Sequence, residues 1–399
     1  MTEAPATRKV VRNVSLLGEE GACDIAIEGG RISERGPQLE GETLLDGEGA
    51  LALPAFVNPH LHLCKVFTLD WQDDAALDAY HAPGMKDAGD AIDLASRIKS
   101  QYSVEKLLPK IEQALFWAEH YGNLHIRAFA DVDGKVELRG LEAVLEAKRR
   151  FGDRLNLQVV AFAQDGIVRE EGATRLIERG MEMGANVVGG IPWIEASAAA
   201  QQKHVDTIFE IARRFDAPVS MLLDDSGDAS LRTLEMMCRK AIETGWEGRC
   251  LAHHCRALSV YDSSYKNDIL YPLMRDAGVS LVSNPHTGPL HASPREMDAA
   301  GINLCLGQDD VTDAYYPFGR NNMLEVAFLA AHVWMLTRRE EGEVLLDMVT
   351  SRAAVGMGLE DYGLAVGCSA DMVIVQGDSP REALRFHEVD TVIRKGNLV

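Results

Sequence analysis

The 399-residue chain lacks long apolar runs, a basic stripe and a regular cysteine pattern. No apolar run reaches the roughly 20 residues of a membrane span, and the first residues form no apolar signal segment. The formal charge of −21 disfavours nucleic acids and anionic membranes as partners. Seven scattered cysteines do not form a disulfide framework. We therefore expect a cytoplasmic protein without a nucleic-acid or membrane partner.

What the chain does have is eight apolar runs, most of them separated by segments of helical periodicity. The runs are 51–57, 124–130, 157–163, 186–190, 219–223, 250–252, 279–283 and 303–307. The helical segments include 104–120, 141–150, 173–183, 198–214, 231–244 and 321–336. Buried strands alternating with helices predict an α/β fold, a (β/α)8 barrel of the TIM type. A doubly wound open sheet is the alternative, but no Gly-x-Gly-x-x-Gly pattern follows the first run.

Strand-rich segments with turn signals stand at both ends of the chain, outside the eight runs. Because one uninterrupted barrel separates them, we expect the two ends to combine into one small domain. The predicted domains are a β-sandwich from residues 1–53 and 357–399 and a barrel over residues 54–356.

Polar residues that suit a metal site follow several of the runs. His60 and His62 come first, and alternation along a strand points both imidazoles to the same side. Later runs end in Gln164, in Asp224 and Asp225, in His253 and His254, in His286, and in Asp309 and Asp310. A lone aspartate at such a position is usually a helix cap. The occurrence of these polar residues together at successive strand ends favours catalysis at the mouth of the barrel.

The chain resembles the amidohydrolase superfamily, and within it the cytosine deaminase group with its relative N-isopropylammelide amidohydrolase. The most specific segments of the resemblance are residues 307–319 and 157–167, and it covers nearly the whole chain. His60-Leu-His-Leu-Cys-Lys65 is similar to the triazine branch, where a lysine follows the histidine pair. The resemblance implies a barrel with one catalytic metal and a β-sandwich built from both chain ends.

The resemblance also implies roles for individual residues. His60, His62 and Asp309 are the expected metal ligands, and Asp309 also accepts a proton from the attacking water. His254 is expected to orient or deprotonate that water and is a candidate fourth ligand. Gln164 and Asp310 are expected to hold the substrate. Lys65 is either a further substrate contact or a salt-bridge partner.

Strand five departs from the family pattern, which has a metal-binding histidine followed three residues later by an acidic proton shuttle. The register that fits best puts Met221 at the ligand position and Asp224 at the shuttle position. A thioether is a poor ligand for Zn²⁺ or Fe²⁺. Either His254 or His253 then completes the shell, or Asp224 or Asp225 reaches the metal, or the chain is a degenerate member. As a neighbour of His254 on a strand, His253 is predicted to face the barrel wall.

These residues predict hydrolysis of a C–N bond in a small nitrogen heterocycle by metal-activated hydroxide. Deamination of a pyrimidine- or triazine-like ring is favoured over opening of a cyclic amide such as a hydantoin or lactam. The remaining alternative is a non-catalytic family member that binds a small ligand. The expected cofactor is one divalent transition metal, zinc or iron, with manganese as a third candidate. Because relatives are commonly oligomeric, we expect a homo-oligomer.

Overall fold

The computed structural model describes residues 8–72, 74, 78, 92 and 96–399, which contain two eight-stranded sheets. The strands in chain order are β1 (Lys9–Leu16), β2 (Cys23–Glu28), β3 (Arg31–Gly36), β4 (Glu42–Asp46), β5 (Leu51–Pro54), β6 (Phe56–Leu61), β7 (Asn123–Asp131), β8 (Asn156–Phe162), β9 (Val187–Gly190), β10 (Val219–Leu223), β11 (Cys250–His254), β12 (Ser280–Ser283), β13 (Leu304–Leu306), β14 (Met372–Val375), β15 (Val389–Arg394) and β16 (Asn397–Leu398).

Strands β6 to β13 form the barrel, and each of them pairs in parallel with the next along the chain. The ring closes where the chain after β13 returns to the end of β6. There the Asp309 amide donates to the His60 carbonyl, and the His62 amide donates to the Asp309 carbonyl, both at 2.8 Å. The predicted TIM-type barrel is confirmed.

The first predicted run was wrong in one respect, because residues 51–57 do not form a single barrel strand. Leu51–Pro54 is β5, which pairs with β1 and β14 in the other sheet. Phe56–Leu61 is the first barrel strand and already contains His60. Both faces of a parallel barrel strand are buried, so an apolar run does not reveal where one strand ends and the next begins.

The α-helices lie at or near the predicted segments, with a few short additions. They are α1 (Val104–His120), α2 (Arg139–Phe151), α3 (Ala173–Glu182), α4 (Ala198–Phe215), α5 (Thr233–Thr244), α6 (Ser263–Tyr265), α7 (Tyr271–Asp276), α8 (Pro294–Ala300), α9 (Met323–Val333), α10 (Arg339–Met348), α11 (Ser351–Met357) and α12 (Pro380–Phe386). Shorter 3₁₀ turns lie at Leu69–Trp71, Ser96–Gln101, Pro192–Ile194 and Arg256–Ser259, and a π-helical turn at Lys266–Leu270. Local capping explains some boundaries: the Ser103 and Ser197 hydroxyls accept from backbone amides of the first turns of α1 and α4.

The strands from the two chain ends form the second sheet, in which β5 pairs with both β1 and β14. This sheet has an apolar core of its own, which includes Val14, Ile25, Ile32 and Met372. The combination of a barrel with a smaller β unit from both termini is therefore confirmed, while the boundaries 1–53, 54–356 and 357–399 stay a prediction. Within the described ranges, no helix is both long and apolar enough to cross a membrane.

A buried carboxylate orders the segment that follows β8, just beyond Gln164. Glu195 accepts hydrogen bonds from the amides of Ile167 (2.8 Å), Val168 (2.9 Å) and Arg169 (3.0 Å), and it contacts His204 Nδ1 at 2.8 Å. The side chain is buried, so these donors would lack water if the carboxylate were removed.

We expect Glu195→Ala to lower the free energy of unfolding by about 3 kcal/mol, since a buried polar group left without its partner costs roughly 1–3 kcal/mol. Urea denaturation measures the change. Glu182→Ala is the matched control, because Glu182 is half exposed and pairs with Arg179 one turn away. That control should change stability by less than about 0.5 kcal/mol. Equal effects of the two substitutions would contradict the proposed role of Glu195.

Candidate active site

Three imidazoles surround one carboxylate at the point where the barrel closes. Asp309 Oδ1 lies 3.0 Å from His60 Nε2 and 3.5 Å from His62 Nε2, and Asp309 Oδ2 lies 3.7 Å from His254 Nε2. All four side chains are buried. The main-chain hydrogen bonds between Asp309 and the end of β6 bring these groups together, so the closure of the barrel builds the cluster.

This donor set fits a divalent transition metal. Two ligands of a tetrahedral ion, each about 2.1 Å from it, are about 3.4 Å apart, which is the spacing of the Asp309 contacts. Donor atoms of His60, His254 and Asp309 all lie within 4.8 Å of one another. His60 Nε2 is buried and lies 3.0 Å from Asp309 Oδ1, as is expected of two atoms that coordinate one cation.

Burial and mutual charge keep these groups in the protonation states that ligands require. Burial lowers the pKa of His62 and of His254 well below the usual value for an imidazole, so both are neutral at pH 7. Burial opposes ionisation of Asp309, but the adjacent His60 and His254 outweigh it and hold the pKa of Asp309 well below its usual range. The cluster therefore presents the neutral imidazoles of His62 and His254 beside an ionised carboxylate.

The structure does not bring Met221 to the cavity, where the predicted register of strand five put it. Met221 belongs with Val219 and Leu223 to the large core that also includes the surrounding helices. Leu222 instead packs in the barrel interior against Phe129, and it lines the same cavity as His254 and Asp309. The inward position on this strand is thus an apolar Leu222, and Met221 is remote from the cluster's ligand atoms.

The structure also separates the two aspartates that follow β10. Asp224 has a left-handed backbone (φ 43°) and turns away from the cavity. Its carboxylate accepts from Thr233 N (2.7 Å), Thr233 Oγ1 (2.6 Å), Leu234 N (3.1 Å) and Tyr261 Oη (2.6 Å), which is a capping role at the start of α5. The sequence predicts Asp224 at the cluster. The structure does not bring it there.

Asp225 lines the cavity in its place. Its Oδ1 lies 2.9 Å from Arg256 Nε and 3.8 Å from His254 Nδ1. Burial raises the pKa of Asp225 to about 7, although Arg256 opposes the shift. Counted from Leu222, Asp225 stands three residues on, which is the spacing of the family's ligand and shuttle. Alternation from Ser220 would point to Leu222 and Asp224 rather than to Asp225, because it does not foresee the left-handed backbone of Asp224.

The predicted substrate-binding residues meet on the opposite side of the cavity, which measures about 50 Å³. Lys65 Nζ donates to Gln164 Oε1 and lies 3.4 Å from His62 Nδ1. Lys65 thus contacts Gln164. Its Nζ also lies 3.6 Å from Asp131 Oδ1, so Lys65 is a salt-bridge partner as well. Asp310 Oδ2 lies 3.6 Å from His286 Nε2. Burial, reinforced by Asp309, raises the pKa of Asp310 well above its usual value.

His253 does not face the barrel wall, so that prediction was also wrong. Its Nδ1 lies 2.7 Å from His60 Nδ1 in the barrel interior, below the cluster. His254 has a left-handed backbone (φ 63°), which ends the alternation of the strand and lets both neighbouring imidazoles approach His60. Alternation alone could not reveal this.

Residues 88–399 match the Amidohydrolase family. The chain belongs to this family. Over 382 residues it is 28% identical to the N-isopropylammelide isopropyl amidohydrolase of Pseudomonas sp. (strain ADP), which covers 94% of this chain and 92% of that protein. Amidohydrolases are metal-dependent hydrolases, and this chain is accordingly a hydrolase of carbon–nitrogen bonds.

Two crystal structures agree with this assignment over almost their full lengths. The 5-methylcytosine deaminase of Klebsiella pneumoniae, liganded with 5-fluorocytosine, superposes with a TM-score of 0.89 at 28% identity and covers 98% of this chain and 97% of that chain. The N-isopropylammelide isopropylaminohydrolase of Burkholderia multivorans superposes with a TM-score of 0.86 at 29% identity and covers 98% of both.

The register of β10 predicts different effects for substitutions of its neighbouring residues Met221 and Leu222. Met221→Ala should lower the free energy of unfolding by about 2–5 kcal/mol, as for other buried large-to-small substitutions, and leave metal affinity unchanged. Leu222→His, which adds an imidazole beside the cluster, should instead raise metal affinity. Urea denaturation and chelator competition measure the two effects. Higher metal affinity in Met221→His but not in Leu222→His would restore the register that we first predicted.

Proposed function

We propose that this amidohydrolase removes an exocyclic amine from a small pyrimidine- or triazine-like ring. The observation that carries the proposal is the buried cluster of His60, His62, His254 and Asp309 beside a cavity that also contains Gln164. The names of the relatives support the ring class, since one is a 5-methylcytosine deaminase and another an N-isopropylammelide isopropyl amidohydrolase.

We infer that His60, His62 and Asp309 hold one divalent metal, zinc or iron with manganese as a third candidate, and that His254 is the remaining nitrogen in reach. A metal bound there supplies the Lewis acidity that makes water a nucleophile near neutral pH. Leu222 cannot contribute a ligand from strand five. The donor count of three or four residues is typical of catalytic zinc sites that keep one position open.

The protein's own groups carry the protons of the reaction. Asp309, ionised in the cluster, accepts a proton from the attacking water, and His254, whose Nε2 lies 3.7 Å from Asp309 Oδ2, orients that water. Asp225, whose pKa is about 7, delivers protons to the ring and to the departing amine as the C–N bond breaks. Water thus replaces the amine on an sp² carbon, and the products are a ring carbonyl and ammonia or an alkylamine.

Gln164 and Lys65 orient the ring in this proposal. Lys65 donates a hydrogen bond to Gln164 Oε1. The amide nitrogen of Gln164 can then donate to a ring carbonyl or ring nitrogen of the substrate. Asp310, held largely protonated by burial, is a hydrogen-bond donor on the side of His286. A substrate with adjacent acceptor and donor groups along one ring edge would match this arrangement.

Amine release from metal-replete protein tests the proposal. The panel comprises cytosine, 5-methylcytosine, aminotriazines and N-alkylated aminotriazines, with hydantoins and lactams as the second arm and chelator-treated protein as the blank. We expect turnover of at least one aminopyrimidine or aminotriazine. Activity confined to the hydantoins and lactams would favour ring opening, and inactivity in both arms would favour a non-catalytic ligand-binding protein.

A further inference from the structure

His253 lies in the barrel interior against the proposed metal ligand His60. It is the fourth residue of β11 and is fully buried, as is His60. The two rings meet edge to face, with centroids 4.5 Å apart at 76°. Their closest atoms are the two Nδ1 nitrogens, 2.7 Å apart. At this distance the two nitrogens share a hydrogen bond rather than a metal ion, because two ligands of one tetrahedral ion would be about 3.4 Å apart.

The direction of that hydrogen bond follows from the other side of His60. His60 Nε2 points at Asp309 Oδ1 from 3.0 Å, within the cluster that we propose holds the metal. A neutral imidazole carries one proton, and a nitrogen that binds a metal must not hold it. The proton of His60 is therefore on Nδ1, and His253 Nδ1 is the acceptor.

We propose that His253 is a positioning residue that accepts a hydrogen bond from His60 Nδ1 and thereby fixes the tautomer and ring orientation that present His60 Nε2 to the metal. Histidine ligands usually donate their second N–H to a carboxylate, a carbonyl or water. Here a second imidazole serves as the acceptor. This inference rests on the proposed metal site.

Packing around the pair supports a fixed orientation. Phe129 stacks on the His60 ring with centroids 4.5 Å apart and planes inclined by 19°. The same Phe129 meets His253 edge to face at 5.0 Å. One aromatic side chain thus restrains the plane of the ligand and the position of its acceptor. Among the residues that the structure describes, the hydrogen-bond partner of His60 Nδ1 is His253 Nδ1.

His253→Phe keeps an aromatic ring but removes the acceptor, whereas His253→Asn keeps an acceptor, since Asn Oδ1 takes the place of the histidine Nδ1. We expect His253→Phe to weaken metal binding by about 10- to 100-fold, the usual cost of losing such a partner, and His253→Asn to recover most of that affinity. Competition with a chelator measures affinity, and thermal melts of the metal-free proteins report on folding. His125→Phe is the control, because His125 is a buried histidine on β7 that contacts Asn156 rather than the cluster.

Nitrogen NMR of the zinc-loaded wild-type protein gives a second readout that needs no variant. We expect His60 to be protonated on Nδ1 and His253 to be unprotonated on Nδ1. The reverse assignment, or equal metal affinity of His253→Phe and the His125→Phe control, would overturn the positioning role while leaving the metal site intact. Wild-type protein that binds no metal would overturn both this inference and the proposed function.

Discussion

Asp309→Ala is expected to lower kcat/KM by about 10⁴-fold or more, the scale observed when a group that activates the nucleophile is deleted. Asp309 contacts two proposed ligand imidazoles within 3.5 Å and lies 3.7 Å from a third, so its loss removes a donor and the proton acceptor together. We therefore expect the metal content to fall with the activity. Elemental analysis and amine release on the same preparation measure both.

The control for this experiment is Asp206→Ala, a partly exposed aspartate on α4 whose salt-bridge partner is Lys240. It should retain metal and full activity. Asp309→Ala protein that keeps both its metal and its turnover would show that the cluster is not the reaction centre.

Asp225→Asn is expected to lower kcat by about 10²- to 10⁴-fold, the usual contribution of general acid–base catalysis, with metal content unchanged. The reason is that an amide at this position cannot carry a proton to the ring or to the leaving amine. Arg256 would lose its ionic partner, which lies 2.9 Å away. A pH profile should also lose the step that reports on a group of pKa about 7.

Asp224→Asn provides the matched comparison, because it is the same substitution at the adjacent residue. Asp224 accepts four hydrogen bonds from Thr233, Leu234 and Tyr261. We expect a loss of about 1–3 kcal/mol in unfolding free energy, since buried groups lose partners, and a much smaller change in kcat. A large loss of kcat in Asp224→Asn at unchanged stability, with Asp225→Asn fully active, would reverse the roles that we assign.

The fold was predictable because the apolar runs are long enough to specify strands and appear in the order of a barrel. Val219–Leu223 and Val104–His120 were predicted to the residue. We predicted His60, His62 and Asp309 as metal ligands because the His-x-His spacing and the family resemblance point to the same positions. The closure of the barrel then brings them together through main-chain hydrogen bonds that local sequence patterns do not contain.

The parts of the site that could not be predicted have two physical causes. In Val-Ser-Met-Leu-Leu both faces of the strand are buried, so hydrophobicity does not distinguish inward from outward residues. The assignment of Met221 and Asp224 to the site failed for that reason. His253 and Asp224 were misplaced because left-handed residues at the strand ends interrupt the alternation, and this backbone conformation is rarely evident from sequence.

A metal titration tests the central claim most directly. Protein stripped with chelator is loaded with increasing Zn²⁺ or Fe²⁺, and amine release from the best substrate of the panel is plotted against metal bound per chain. We predict activity that is absent in the stripped protein, rises linearly and reaches its plateau at about one metal per chain, as expected for a single catalytic ion. Full activity in metal-free protein would contradict the account.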